Sequence, residues 1–85
     1  MARIFITGSS DGLGRLAAQA LVRQGHQVVV HGRNAARARD AFQGVPGAEA
    51  ALIGDLADPA ETKRLAAEAN DLGRIEAVIH NAGVY

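Results

Sequence analysis

The chain has 85 residues, in which nine basic side chains balance nine acidic ones, and it contains no cysteine. This length fits one small domain, and the zero formal charge argues against binding to nucleic acid or to a membrane surface, since both rely on an excess of basic residues. The absence of cysteine excludes disulfides and thiolate nucleophiles, and the three histidines lack the spacing of a zinc site. No apolar run approaches the roughly 20 residues that cross a bilayer, and the N-terminus does not resemble a signal peptide. We therefore expect a cytoplasmic globular protein without a metal site.

The first half of the chain predicts two strands and two helices. Residues Arg3–Thr7 form a short apolar run that ends at glycine, as buried strands often do. After a glycine-rich turn, apolar residues recur at the three- and four-residue spacing of an amphipathic helix, at Leu13, Leu16, Ala17, Ala20 and Leu21. Gly25 should end this helix. The valine triplet at 28–30 predicts the second strand, and Asn34 is a suitable N-cap for a helix over 35–42.

The second half predicts a strand over 48–53, a third helix and a fourth strand over 75–80. Asp58 can cap the third helix, Pro59 suits its first position and Glu61 lies three residues after the cap. We expect this helix to run to about Leu72. A turn at Asn81, Ala82 and Gly83 follows the fourth strand.

The order β-α-β-α-β-α-β predicts an α/β fold with a Rossmann-like parallel sheet and right-handed crossovers. In a doubly wound sheet the strand order would be 3-2-1-4, which leaves strand 4 as an apolar edge without a partner. We therefore interpret residues 1–85 as the first half of a larger, doubly wound domain. A missing C-terminal half, or a second chain, would cover strand 4.

The turn after strand 1 carries the pattern Thr7-Gly8-x-x-x-Gly12-x-Gly14. A helix N-terminus offers free N–H groups and the positive end of its dipole, and glycines allow a phosphate to approach the backbone closely. The spacing is neither G-x-G-x-x-G nor that of a P-loop, which needs a lysine. A merely flexible turn is the alternative, but the position between a strand and a helix favours a phosphate site.

This turn, Asp55-Leu56 after strand 3 and Asn81-Ala82-Gly83 after strand 4 together resemble the short-chain dehydrogenase/reductase family. The resemblance covers the whole chain but only the first half of a family member. It implies that Gly8, Ser10, Gly12, Leu13 and Gly14 surround the diphosphate and adenosine ribose of a nicotinamide cofactor. Asp55 would bind the adenine amino group, with Leu56 near the ring, and residues 81–83 would pass beside the ribose. The alternatives are a turn residue for Asp55, core for Leu56 and a structural bracket for Asn81.

The end of strand 2 bears on the choice between NADP and NAD. An acidic residue there usually binds the ribose 2′-hydroxyl of NAD, but here the sequence reads His31-Gly32-Arg33. A guanidinium can grip a 2′-phosphate, so Arg33 favours NADP, and the Ser10 hydroxyl could add to it. Asp11, where many relatives carry a basic residue, opposes this unless it points to solvent or pairs with Arg33. A solvated surface arginine is the alternative reading of Arg33.

His31 and His80, each at the end of a predicted strand, are not assigned a catalytic role. We expect His31 to be an ordinary surface residue at the end of its strand, although it could help to seat the adenine side of the cofactor. His80 should be buried beside the turn that follows strand 4.

No catalytic residue is assigned, because the Tyr-x-x-x-Lys pair of the resembled family does not occur. The only tyrosine is Tyr85 and the only lysine is Lys63. The resemblance implies hydride transfer between NADP(H) and a carbonyl or alcohol, with the whole protein forming a homo-oligomer. The alternative is a separate nucleotide-binding or regulatory module without catalysis, and a third is a truncated product that does not bind cofactor.

Overall fold

Four parallel strands and three helices make up the described part of the computed structural model, which covers residues 2–8 and 12–80. The strands are β1 (Arg3–Thr7), β2 (Gln27–Gly32), β3 (Ala50–Ile53) and β4 (Ala77–His80), and the helices are α1 (Gly12–Arg23), α2 (Ala35–Gly44) and α3 (Pro59–Asp71). The sheet has the order β3-β2-β1-β4, and each neighbouring pair is parallel. The predicted element order and strand order are both confirmed.

The helix caps also match the prediction. The Asn34 side chain accepts a hydrogen bond from the Arg37 N–H at 2.9 Å, and Asp58 accepts from the N–H groups of Ala60 and Glu61 at 2.9 and 3.4 Å. The edge strands are shorter than predicted, because β3 starts to pair only at Ala50 and β4 only at Ala77. Both differences lie at the N-terminal ends of these strands, whereas their C-terminal ends at Ile53 and His80 are as predicted.

The two central strands supply side chains to both faces of the sheet. Ile4 and Ile6 of β1, with Val28 and Val30 of β2, pack in one cluster with Ala18 of α1 and with Ala41 and Val45. Phe5 and Val29 lie between them in sequence and pack with Leu65 and Ala69 of α3 on the other face. The period of two residues therefore places α1 and α2 on one face and α3 on the other.

The predicted apolar stripe of α1 is only partly buried, which corrects the sequence-based expectation. Gly14 and Ala18 are the buried residues of this helix, whereas Leu13 and Leu16 are 76% and 60% exposed. Small residues allow α1 to lie close to β1 and β2, and Leu21 packs against the core cluster, whereas Leu13 and Leu16 remain outside that contact.

All four residues of β4 are exposed in the described structure, including the apolar Val78 and Ile79. His80 is among them, so the prediction that it is buried is wrong. The reason is that β4 is the edge strand of the described sheet, with a neighbouring strand, β1, on one side only.

Gly32 lies where α2 crosses the end of β2. A Cβ atom at this position would lie 2.1 Å from the backbone nitrogen of Ala38 and 2.4 Å from the carbonyl carbon of Arg37. Both contacts are with the backbone of α2, so rotation of a side chain could not relieve them. Glycine is required here because two backbones approach each other closely.

Gly32→Ala should therefore destabilise the protein by about 2 kcal/mol or more, as overpacking against a fixed backbone does. Gly54→Ala is the matched control at the end of the adjacent strand, since its Cβ would meet Leu65 at 3.4 Å, an ordinary contact. Urea unfolding of the two variants measures the difference. Equal midpoints for both variants would contradict the close approach of α2.

Candidate functional site

The carboxyl ends of the four strands meet at one edge of the sheet, because the strands are parallel. Thr7 pairs with His80 across β1 and β4, and Gly32 pairs with Ile53 across β2 and β3. The Thr7 hydroxyl also donates to the Ile79 carbonyl at 3.4 Å. The helices on the β2 side of β1, α1 and α2, lie on one face of the sheet, whereas α3, which leads to β4, lies on the other face. The covered face therefore switches between β1 and β4. In open α/β sheets ligands bind at such a switch point.

The glycine turn joins β1 to α1 at this point. Gly8 and Gly12 have φ angles of 63° and 60°, in the left-handed region that glycine adopts without strain. Open space surrounds the position of a Gly12 Cβ, so this glycine is required for its conformation. Gly14 is a buried residue of α1, and Leu13 is exposed beside the turn. The predicted site residues Ser10 and Asp11 lie outside the described residues.

His31 is buried, with 1% of its surface exposed, so the expectation of a surface histidine is wrong. Its Nδ1 atom accepts a hydrogen bond from the Gly8 N–H at 2.9 Å, and its Nε2 atom lies 2.7 Å from the Gly54 carbonyl oxygen. The ring also meets Phe5 edge-on, with 6.1 Å between the ring centroids. The two bonds require Nε2–H as the donor to Gly54 and an unprotonated Nδ1.

Burial lowers the pKa of His31 below the ordinary value of an imidazole, and the bond to the Gly54 carbonyl opposes this in part. The neutral ring is therefore the form that suits the folded structure. A protonated ring could not accept from Gly8, because both of its nitrogens would be donors.

Arg33 extends from the end of β2 into solvent. Its side chain makes no hydrogen bond or ion pair with the described residues, and Asn34 caps α2 directly after it. The adjacent Gly32 has no room for a Cβ, so no carboxylate side chain could stand at that position. The end of β2 therefore presents the cation of Arg33 and has no room for an acidic side chain at position 32.

Asp55 occupies the corresponding place after β3. Its Oδ1 accepts a hydrogen bond from the Ala57 N–H at 3.0 Å. One of its two carboxylate oxygens therefore plays the part of a turn residue, which was the predicted alternative. Glu61 accepts from the Asp55 N–H at 3.0 Å, instead of returning to the cap residue Asp58. The first contact holds one oxygen of the Asp55 side chain and the second holds its backbone N–H, which leaves Oδ2 without a partner among the described residues.

Leu56 is half-buried and lines a groove of about 230 Å³ between α3 and the ends of β1 and β4. Phe5, Thr7 and His80 also line this groove. The site residues Asn81, Ala82 and Gly83 lie outside the described residues, as does the turn predicted there.

Sequence reasoning missed the contacts of His31 and of Glu61. The first could have been found from the alternation along β2, since His31 falls on the same face as the buried Val29. The second has no such signal, because the capping pattern predicts a different partner for Glu61.

No group of three or more metal-ligating side chains occurs within residues 2–8 and 12–80. Over the same residues, every helix falls short of the length and apolar character that a bilayer crossing requires.

Comparison with known proteins identifies the family. The model of the short chain dehydrogenase family matches residues 2–85. The chain belongs to this family. It is 63% identical to the uncharacterized oxidoreductase AN7799 of Emericella nidulans and 52% identical to the short-chain dehydrogenase chry4 of Gibberella zeae, each over 84 residues and 99% of this chain. The matched segments make up 33% and 32% of those proteins, so the chain spans about a third of these relatives.

Solved structures share the fold of this chain. The complex of Pseudomonas aeruginosa RhlG with NADP matches 98% of this chain at a TM-score of 0.85 and 30% identity, over 35% of its own length. The TT0495 protein of Thermus thermophilus matches 99% of this chain at a TM-score of 0.80 and 32% identity, again over 35% of its length. The strand order described above is therefore that of a Rossmann fold.

The buried imidazole predicts a loss of stability in acid. The pKa of His31 is lowered on folding from its ordinary value of 6.5. Below pH 6.5 the unfolded chain therefore binds more protons than the folded one. Stability should therefore fall as the pH drops from 6.5 towards the folded pKa. His31→Asn should remove this part of the pH dependence, while His80→Asn, at the exposed end of β4, should keep it. Urea midpoints at about pH 7 and pH 5 measure the effect, and the same acid loss in His31→Asn as in the wild type would contradict it.

Proposed function

We propose that this chain is the cofactor-binding part of an NADP-dependent oxidoreductase that transfers hydride between NADP(H) and a carbonyl or alcohol substrate. Membership of the short-chain dehydrogenase family supports the reaction class. The observation that carries the NADP assignment is the end of β2, where Arg33 is exposed beside a glycine that has no room for a side chain. NADP(H) would supply or accept the hydride, and the residues of this chain would bind and orient it.

The glycine turn fits the diphosphate of such a cofactor. Gly8 and Gly12 turn the chain through positive φ, and α1 starts at Gly12 with its N-terminal N–H groups at the same edge. The Gly8 N–H already binds His31, so Gly8 contributes the turn and not a donor. In this proposal Ser10, Leu13 and Gly14 complete the contact with the diphosphate and ribose.

The adenine side would lie against the turn after β3. Asp55 would accept from the adenine amino group through Oδ2, because Oδ1 is held by Ala57. Leu56 would lie along the ring from the wall of the groove, and Asn81, Ala82 and Gly83 would pass beside the ribose. This assignment keeps the carboxylate of Asp55 away from the 2′-phosphate, which would meet Arg33.

The uncovered surfaces of the fold support a longer protein. Leu13 and Leu16 of α1 are mostly exposed, and Val78 and Ile79 on the two faces of β4 are 47% and 38% exposed. An exposed apolar edge strand readily accepts another strand. We propose that residues 1–85 form an incomplete nucleotide-binding half-domain, and that further sequence covers β4 and supplies the Tyr-x-x-x-Lys pair. As the family resemblance implies, the whole protein would be a homo-oligomer, and the lack of cysteine favours a cytoplasmic location.

Two measurements test the catalytic assignment. The first is the intact mass of the protein under denaturing conditions, and the second is an assay for NADPH oxidation with a panel of carbonyl compounds. A mass well above that of 85 residues, with turnover, is the expected result. A single species of 85 residues that binds NADPH without turnover would favour the separate nucleotide-binding module instead. The same species without cofactor binding would exclude both.

Arg33→Ala tests the choice of cofactor. Loss of charge-assisted hydrogen bonds to the 2′-phosphate should weaken NADPH binding by about tenfold to a hundredfold and leave NADH binding unchanged. Arg23→Ala, at the far end of α1, is the matched control and should bind both cofactors as the wild type does. Fluorescence titration gives the dissociation constants. The proposal fails if the wild type binds NADH as tightly as NADPH, or if Arg33→Ala leaves their ratio unchanged.

A further inference from the structure

His31 connects the ends of three adjacent strands. The residue belongs to β2, its Nδ1 accepts from Gly8 after β1, and its Nε2 donates to Gly54 after β3. The ring is almost completely buried, so water does not compete for either bond.

Both partners of the ring are backbone groups, and each adjoins a different part of the proposed cofactor site. Gly8 is the corner at which β1 turns into the glycine loop, with a φ of 63°. Gly54 directly precedes Asp55, whose own N–H and side chain are tied to Glu61 and Ala57. A single side chain therefore spans from the diphosphate side of the site to its adenine side.

The hydrogen bond to Gly8 restricts the peptide plane between Thr7 and Gly8. Glycine has access to a wide range of φ and ψ, so a hydrogen bond to its N–H narrows the orientations that this plane can take. The orientation of the Gly8 peptide is then set before any ligand arrives, which lowers the entropy cost of binding.

We propose that His31 is a positioning residue of the cofactor site, which fixes the orientation of the glycine turn through the Gly8 N–H and joins it to the turn that carries Asp55. This inference rests on the proposed cofactor-binding function. His31 does not touch the cofactor in this arrangement; it acts through the backbone of Gly8 and Gly54.

Three substitutions separate the two bonds. In His31→Asn the side-chain amide takes the place of Nδ1, so its oxygen can still accept from Gly8, while the bond to Gly54 is lost. In His31→Gln the amide reaches the place of Nε2, so its nitrogen can still donate to Gly54, while the bond to Gly8 is lost. His31→Phe keeps a ring of similar size and loses both bonds.

Binding of NADPH is measured by fluorescence titration on the protein expressed with any sequence that its gene encodes after residue 85, at a temperature where each variant is folded. His31→Phe and His31→Gln should weaken binding by about tenfold, and His31→Asn should stay within about threefold of the wild type. A role in stability alone would lower the melting temperature without this order of affinities. Wild-type affinity in folded His31→Phe and His31→Gln would overturn the proposal, and so would equal weakening in His31→Asn.

Amide exchange of Gly8, followed by NMR without cofactor, tests the same bond independently. Exchange should be faster in His31→Gln than in His31→Asn and the wild type. Equal rates in all three proteins would overturn the positioning role even if NADPH bound normally. A wild type that binds neither NADPH nor NADH, but shows the expected exchange rates, would instead refute the proposed cofactor function while the His31–Gly8 link remained.

Discussion

The buried imidazole of His31 lies between the strand ends at the carboxyl edge and bonds to the backbones on both sides. The chain leaves β1 and β3 through glycines, Gly8 and Gly54, so neither residue contributes a side chain to the space between these backbones. The ring of His31 occupies that space, where it accepts from one backbone donor and donates to one backbone acceptor. An unsatisfied buried polar group costs about 1–3 kcal/mol, so replacing the ring by an apolar one affects both turns at once.

The rest of the fold brings this edge together by placing small residues where helices meet the sheet. Ala18 of α1 and Ala38 and Ala41 of α2 are buried, and Gly32 allows the backbone of α2 to lie directly against the end of β2. Helices that approach so closely bury little area per residue, and only 4% of the chain is aromatic. The larger side chains of β1 and β2 therefore supply most of the core, which explains why these two strands lie at the centre of the sheet.

The fold could be predicted from the sequence because its signals are local. The valine triplet of β2, the Asn34 and Asp58 caps and the alternation of strands with helices each depend on a few neighbouring residues, and together they give the strand order. The environments of single residues depend on contacts that are distant in sequence. His31 lies 23 residues from both Gly8 and Gly54, and the exposure of Leu13 and His80 depends on which faces the helices cover. The Glu61 carboxylate is an intermediate case, since its pattern predicts a cap but its partner is the N–H of Asp55.

Gly32 connects the fold to the choice of cofactor. The position where a carboxylate would bind the 2′-hydroxyl of NAD is the position at which α2 lies against β2. Since a Cβ there would lie 2.1 Å from the Ala38 nitrogen, an aspartate could be accommodated only if α2 moved away from the sheet. Such a movement would disturb Ala38 and Ala41, which are the buried residues of the same helix. If the proposed preference for NADP holds, a change to NAD would therefore have to begin at Arg33, where the side chain is exposed and can be replaced without any cost in packing.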